Sequence, residues 1–146
     1  MTDKAINKAH WSFWAISVFM LIWNVMGSMN FIWQISANAE TLAALPETHR
    51  AIIEGRPVWA TVGFAVGVII GSLGCLLLLF RKSAALYFFS ASLLGIIVTM
   101  IHTIRVSFMI IKFNPFEVIM MIVMPLLVAT FLIWYSKKSE KKGWVS

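Results

Sequence analysis

The sequence has little of what a soluble domain or an active site is usually built from. Charged residues make up 12% of the 146 residues, Asp and Glu together number only 6, and there is 1 cysteine. Soluble globular domains carry about 25% charged residues, so the composition argues against that class. A single cysteine excludes an internal disulfide and a CxxC redox or zinc motif, and Cys75 is interpreted as a small apolar residue.

Catalytic and metal-binding motifs are missing as well. The sequence contains no HExxH, GxSxG or Walker pattern, and His10, His49 and His102 fall in different segments. Such motifs bring ligands or nucleophiles together through a fixed spacing. We therefore expect no catalytic residue, no metal and no cofactor, while a small intramembrane enzyme acting on lipid or quinone stays open as an alternative.

The formal net charge is +6, which raises the question of a nucleic-acid partner. The basic residues lie at the ends of apolar runs and do not interleave with aromatic residues on a polar surface. Orientation in a membrane explains this distribution better, and we expect no nucleic acid among the partners.

Long apolar runs dominate what is present. Hydrophobic residues make up 60% of the chain, and the mean hydropathy is +0.87. A helix needs about 20 residues to cross a hydrocarbon core of roughly 30 Å, where its backbone must be satisfied internally. The sequence predicts an all-α membrane protein of one domain, a four-transmembrane-helix bundle in the lipid bilayer, with helices at about 11–34, 57–80, 83–105 and 115–136.

The basic residues also predict an orientation. One side of the predicted bundle carries Lys4, Lys8, Arg81, Lys82, Lys137, Lys138, Lys141 and Lys142, and the other carries Arg50, Arg56, Arg105 and Lys112. Lys and Arg accumulate in cytoplasmic segments of membrane proteins. We therefore expect both termini in the cytoplasm and the first and third connections outside.

The first connection contains an amphipathic segment at 38–55. Pro46 suits the start of a helix and Gly55 its end, while His49, Ile52 and Ile53 share one face. The pattern predicts a short helix at the outer surface of the membrane. It serves either as a lid over the bundle or as a plain structured connector, and both interpretations remain open.

The second predicted helix carries small residues on one stripe. Such stripes let a neighbouring helix approach closely. The predicted contact residues are Gly63, Gly67, Gly71, Gly74 and Cys75. Whether the partner is a helix of the same chain or of a second copy is open.

Two signals concern the fourth helix. Asn114 and Glu117 fit a capping box that starts the helix near Pro115. Pro125 cannot donate to the carbonyl of Met121 and should bend the helix, as a gate or as a simple feature of shape. Whether the third helix continues past His102 is undecided.

Polar residues form stripes on the predicted first and third helices. In the predicted orientation the outer members of both stripes lie at one depth, near the start of the fourth helix. Polar side chains in hydrocarbon tend to face an interior cavity, although hydrogen bonding between helices explains them as well. The candidate ligand-binding residues are Asn24, Asn30, Gln34, Thr99, His102, Arg105 and Glu117.

The chain also resembles a known group of proteins. The resemblance is carried by Trp23-Asn24, Met26-Gly27, Asn30-Phe31, Gln34, Pro57, Trp59, Gly71, Gly74-Cys75, Arg81-Lys82 and Ser92-Leu93-Leu94-Gly95. These residues are similar to those of small, generally uncharacterised four-helix proteins of the bacterial inner membrane, some of which bear the label "sugar transporter". The resemblance implies a bacterial inner membrane and a transport-like role.

Three functions follow as hypotheses. The first is binding or transport of a small molecule through an outward-facing polar pocket in a homo-oligomer. The second is an accessory or structural subunit of a larger membrane complex, docked through the glycine stripe. The third is the intramembrane enzyme.

Overall fold

The computed structural model describes residues 8–146, and all the regular secondary structure in this range is helical; Lys4 lies outside these residues. The helices are α1 (Trp11–Ser36), α2 (Ala39–Ala43), α3 (Glu47–Glu54), α4 (Val58–Leu79), α5 (Ala85–Met109) and α6 (Pro115–Lys141). The four long helices, α1, α4, α5 and α6, are long and apolar enough to cross a membrane. They are consistent with a multi-pass membrane protein.

The capping chemistry explains where several helices begin and end. The predicted capping box is confirmed: Glu117 N donates to Asn114 Oδ1 at 2.8 Å, and Asn114 N donates to Glu117 Oε1 at 3.2 Å. Gly55 follows the last residue of α3, as expected. The third long helix continues past His102 to Met109, so the connection to α6 is short.

The long helices pack in their order along the chain, α1 on α4, α4 on α5 and α5 on α6. The two outermost helices, α1 and α6, approach each other at one end, where the Phe13 and Tyr135 rings stack with centroids 6.4 Å apart. Trp144 meets Phe13 edge-on at 5.9 Å. We name this the terminal end, and the opposite end, which carries α3, the α3 end. Away from the terminal end the bundle is therefore open between α1 and α6.

Glycines allow α4 and α5 to approach each other closely. A Cβ atom added to Gly95 would lie 2.6 Å from the carbonyl oxygen of Gly63, and one added to Gly63 would lie 2.8 Å from that of Gly95. Gly67 faces Ile96 of α5 in the same contact, and Gly74 faces Phe89. The glycine stripe of α4 is thus covered within the same chain, by α5 and, at Gly71 and Cys75, also by Asn24 of α1.

Two of the long helices contain a π turn. The turn in α4 covers Val66–Ile70, and the turn in α6 covers Ile119–Val123. The second lies just before Pro125, whose ring crowds the carbonyl of Met121 and whose nitrogen has no hydrogen to donate. A wider turn accommodates such a defect. The bend at Pro125 stays a prediction.

The C-terminal residues fold back onto the turn between α4 and α5. Ser83 N donates to Ser146 O at 2.9 Å, and Ser146 N donates to Arg81 O at 3.2 Å. Arg81 Nε donates to Trp144 O at 2.7 Å, and Arg81 itself has a φ of 60°. These bonds attach the tail to the terminal end of the bundle.

Candidate functional site

A cavity of about 480 Å³ occupies the space between α1 and α6. All four long helices contribute to its wall, and α3 contributes from one end. Met26 of α1 and Met120 of α6 both line it, yet they are 64% and 43% exposed. The cavity is therefore open sideways between these two helices, which meet toward the terminal end at Phe13 and Tyr135.

Most of the wall is apolar. Two of the long helices, α5 and α6, contribute many of its apolar residues. Among them are Ile96, Met100, Met121, Val128, Ala129 and Leu132. Methionine side chains are flexible and adapt to guests of different shape, so this part of the cavity suits a hydrocarbon group.

The buried polar residues deep in the cavity are occupied by bonds within the bundle. Asn24 Nδ2 donates to Met20 O at 2.9 Å and lies 3.6 Å from Cys75 Sγ. Ser92 Oγ donates to Gly67 O at 2.6 Å, which ties α5 to α4. Thr103 Oγ1 donates to Thr99 O at 3.3 Å. These residues hold the helices together more than they offer groups to a ligand.

The polar groups that face the cavity near α3 are of a different kind. Gln34, His49 and Arg56 are half-buried there, and Asn30 is exposed on the same side. Among the described residues of the cavity wall, Arg56 is the one that carries a permanent charge. The cavity therefore has one polar, positively charged end and one apolar end.

The guanidinium of Arg56 is only partly satisfied. Its Nη1 donates to Gln34 Oε1 at 2.9 Å, and its Cζ lies 5.2 Å from the centre of the Phe64 ring. Its Nε is buried and has no hydrogen-bond partner within residues 8–146. Burial lowers the pKa of the Arg56 guanidinium below its ordinary value, because desolvation disfavours the charged form. Neither of the two neighbours carries a negative charge.

The α3 helix covers the polar end of the cavity and is fixed to the bundle at three points. His102 of α5 donates from Nε2 to Ile52 O at 3.0 Å. The hydroxyl of Thr48 donates to the carboxylate of Glu117 on α6. Arg56, just after α3, bonds Gln34 of α1. Ile52 also packs against Val106 and Phe113. Hydrogen bonds and apolar packing therefore hold α3 over the end of the cavity.

The structure brings together part of the predicted site. Four of the predicted residues line the cavity, namely Asn24, Asn30, Gln34 and Thr99. His102 and Glu117 instead hold α3 in place. Arg105 is exposed and does not belong to the cavity wall.

Sequence reasoning missed the two most distinctive residues of this end. Arg56 entered only as one of the outer basic residues, and His49 only as part of the face that it shares with Ile52. The available signal was that Arg56 directly precedes Pro57, where an apolar helix begins. A charged side chain at that position lies beside the helix that follows it, here next to Phe64.

Within residues 8–146, no group of three or more His, Cys, Asp or Glu side chains is placed to hold a metal ion. The polar end of the cavity offers hydrogen-bond donors and a guanidinium, which bind anions and polar oxygen atoms.

Comparisons with protein families, curated proteins and solved structures give no match for this chain. The fold and the cavity therefore define its class directly: an all-α chain with four helices able to span a membrane and an interhelical cavity closed at one end by a short helix.

Proposed function

We propose that this protein is a multi-pass membrane protein that binds a small molecule in the cavity between α1 and α6. The observation that carries the proposal is the cavity itself. Its volume of about 480 Å³ falls within the roughly 300–1,000 Å³ typical of ligand sites, and such sites combine an apolar wall with a few polar groups.

Several surfaces support the membrane environment. Large apolar side chains on the outer face of α1 are exposed, including Met29 at 64% and Ile32 at 57%, and a lipid environment would bury them. Lys137, Lys138, Lys141 and Lys142 lie near the terminal end. By the positive-inside rule that end faces the cytoplasm and α3 faces outward, and the resemblance favours a bacterial inner membrane.

The proposed route of entry is the lateral opening between Met26 and Met120. In a bilayer this opening faces lipid, so a guest with an apolar part reaches the cavity through the membrane. All four long helices of the chain contribute to the wall of the cavity, and a homo-oligomer stays part of the proposal. Transport across the membrane would further require Phe13 and Tyr135 to separate at the terminal end.

The accessory-subunit hypothesis loses its original docking surface, because α5 covers the glycine stripe of α4. A docked partner would have to use another face of the bundle. The cavity favours binding as the function.

Native mass spectrometry of the protein purified gently from its own membrane tests the proposal. We expect a retained small molecule on the wild-type protein and its loss in Asn30→Trp, because the larger side chain fills an open part of the cavity without displacing core residues. Met29→Trp is the matched control, since Met29 is a neighbouring exposed residue outside the wall.

Retention of the molecule in both variants, or its loss from both, would show that it binds elsewhere on the helices. A wild-type protein that carries no small molecule under gentle purification would also count against the proposal.

A further inference from the structure

We infer that the molecule held in this cavity is a single-chain amphipathic anion, with its carboxylate on Arg56 and its hydrocarbon chain along the apolar wall. The inference rests on the proposed function, since it names the ligand class of the same cavity. Three features of the described residues carry it: a guanidinium without a counter-ion, a cavity wall without acidic residues, and the separation of free polar groups from the apolar lining.

The first feature is the state of Arg56. A guanidinium has five N–H donors. Here Nη1 donates to Gln34 Oε1, while the buried Nε has no partner among the described residues. A charge withdrawn from water without a counter-ion costs free energy. The Phe64 ring offsets part of this cost through its π face. A carboxylate would offset more of it, because charge-assisted bonds are the strong ones.

The second feature is the charge of the surroundings. The described residues of the cavity wall include no Asp or Glu. Glu54, two residues before Arg56 in the chain, is exposed, and Glu117 of α6 is engaged by Thr48 and by Asn114 N. An anion at Arg56 therefore meets no like charge in the wall, whereas a cationic ligand would meet Arg56 without a compensating carboxylate.

The third feature is the division of the cavity along its length. Asn30, Gln34 and His49 line the cavity together with Arg56. The wall beyond carries apolar side chains such as Met100 and Leu132, and its polar residues, such as Asn24 and Ser92, are bonded within the bundle. A molecule with one charged head and one apolar chain satisfies both ends at once. A sugar would leave the apolar wall uncovered and its own hydroxyls unpaired there.

The opening between α1 and α6 fits the same ligand class. A free amphipath in a bilayer keeps its head at the interface and its chain in hydrocarbon. In the proposed orientation, Arg56 lies at the outer interface and the lateral opening lies below it, so the molecule can enter without leaving the membrane. The volume of about 480 Å³ suits one chain better than the two chains of a phospholipid.

The test is a scintillation proximity assay on the full-length protein in a non-ionic detergent, with tritiated dodecanoate as the probe. Unlabelled dodecanoate, dodecan-1-ol and dodecyltrimethylammonium serve as competitors of equal chain length. We expect dodecanoate to displace the probe at roughly tenfold or more lower concentration than the other two, since a hydrogen bond to a charged group contributes about 1.5–3 kcal/mol.

Variants assign the effect to Arg56. Arg56→Gln should weaken dodecanoate binding roughly tenfold or more and leave the weak competition by dodecan-1-ol unchanged. Arg105→Gln is the control, because Arg105 has the same charge and is exposed outside the cavity wall; we expect it to bind like the wild type. The competitor series on the wild-type protein decides the question even if Arg56→Gln fails to fold.

Equal competition by dodecanoate and dodecan-1-ol would overturn the anion assignment and leave the proposed cavity function standing. If Arg56→Gln weakens the binding of dodecanoate and of dodecan-1-ol equally, Arg56 has a structural role and does not anchor the carboxylate. Stronger competition by phosphatidylglycerol than by dodecanoate would replace the single-chain ligand with a membrane phospholipid. Absence of dodecanoate binding to the wild type would overturn the inference. The proposed function is tested separately, by the retention of a small molecule in the wild type and its loss in Asn30→Trp.

Discussion

His102 donates a hydrogen bond from Nε2 to the carbonyl oxygen of Ile52, 3.0 Å away, and so fixes α3 to α5. The ring is buried and meets the Trp59 ring edge-on at 6.5 Å. A backbone carbonyl can only accept, so this contact sets the proton on Nε2. His102, a candidate ligand-binding residue in the sequence, therefore uses its Nε2 hydrogen to hold α3.

Replacing His102 with Ala should loosen α3 locally. The change leaves the buried carbonyl of Ile52 without its donor, which costs about 1–3 kcal/mol. We expect amide hydrogen exchange within residues 47–54 to become roughly tenfold faster, as measured by mass spectrometry. Arg105→Ala, on the exposed side of the same helix, is the control. Unchanged exchange in His102→Ala would mean that packing of Ile52 alone holds α3.

Thr48→Val should weaken the attachment of α3 to α6. Valine keeps the shape of threonine but removes the hydroxyl that donates to the Glu117 carboxylate. We expect the free energy of unfolding to fall, because the hydroxyl no longer donates to the carboxylate. A double-mutant cycle with Glu117→Gln should show coupling between the two positions. Additive effects would contradict a direct bond.

Gly95→Ala should destabilise the contact between α4 and α5. The new Cβ would lie 2.6 Å from Gly63 O and 2.7 Å from Gly67 N, so the helices must move apart. Overpacking of this kind costs about 1–3 kcal/mol, which unfolding in denaturant would report. Gly55→Ala is the control: its Cβ would meet Ala51 O at 3.4 Å, an ordinary contact, and should change stability by less than about 0.5 kcal/mol.

Ser92→Ala should remove the buried hydrogen bond between α5 and α4. The hydroxyl donates to Gly67 O at 2.6 Å, and bonds of this kind between helices contribute about 0.6–2 kcal/mol. Ser90 lies on the same helix but is exposed, and its hydroxyl bonds Leu86 O within α5. Thermal unfolding of the two variants should therefore show a larger loss for Ser92→Ala. Equal losses would refute the proposed difference.

The long helices could be predicted from the sequence because their signals are local. Apolar length, the capping box at Asn114 and the spacing of the glycines in α4 can each be recognised within the sequence of one helix. The continuation of α5 to Met109 could not be settled, since Arg105 and Lys112 are compatible with either a longer helix or an early break. Contact of Val106 with Ile52 and Phe113 accounts for the longer helix.

The cavity was only partly predictable. The stripe of Asn24, Asn30 and Gln34 indicated which face of α1 points inward, because polar residues on an apolar helix are costly outside. The position of Arg56 depends on the path of the chain between α3 and α4, which no periodicity describes. The roles of His102 and Glu117 depend on where α3 settles, and this is decided by contacts between distant segments.

The neighbour order of the long helices has a consequence for biosynthesis. Each one packs on the long helix that the ribosome made before it, so a nascent chain can assemble pairwise as it elongates, without waiting for distant segments. The cavity departs from this scheme, as do the contact of Phe13 with Tyr135 and the bonds of α3 to α5 and α6. The second wall of the cavity comes from α6, which follows the other three long helices in the chain, so a chain interrupted before residue 115 would form the earlier contacts without a complete cavity.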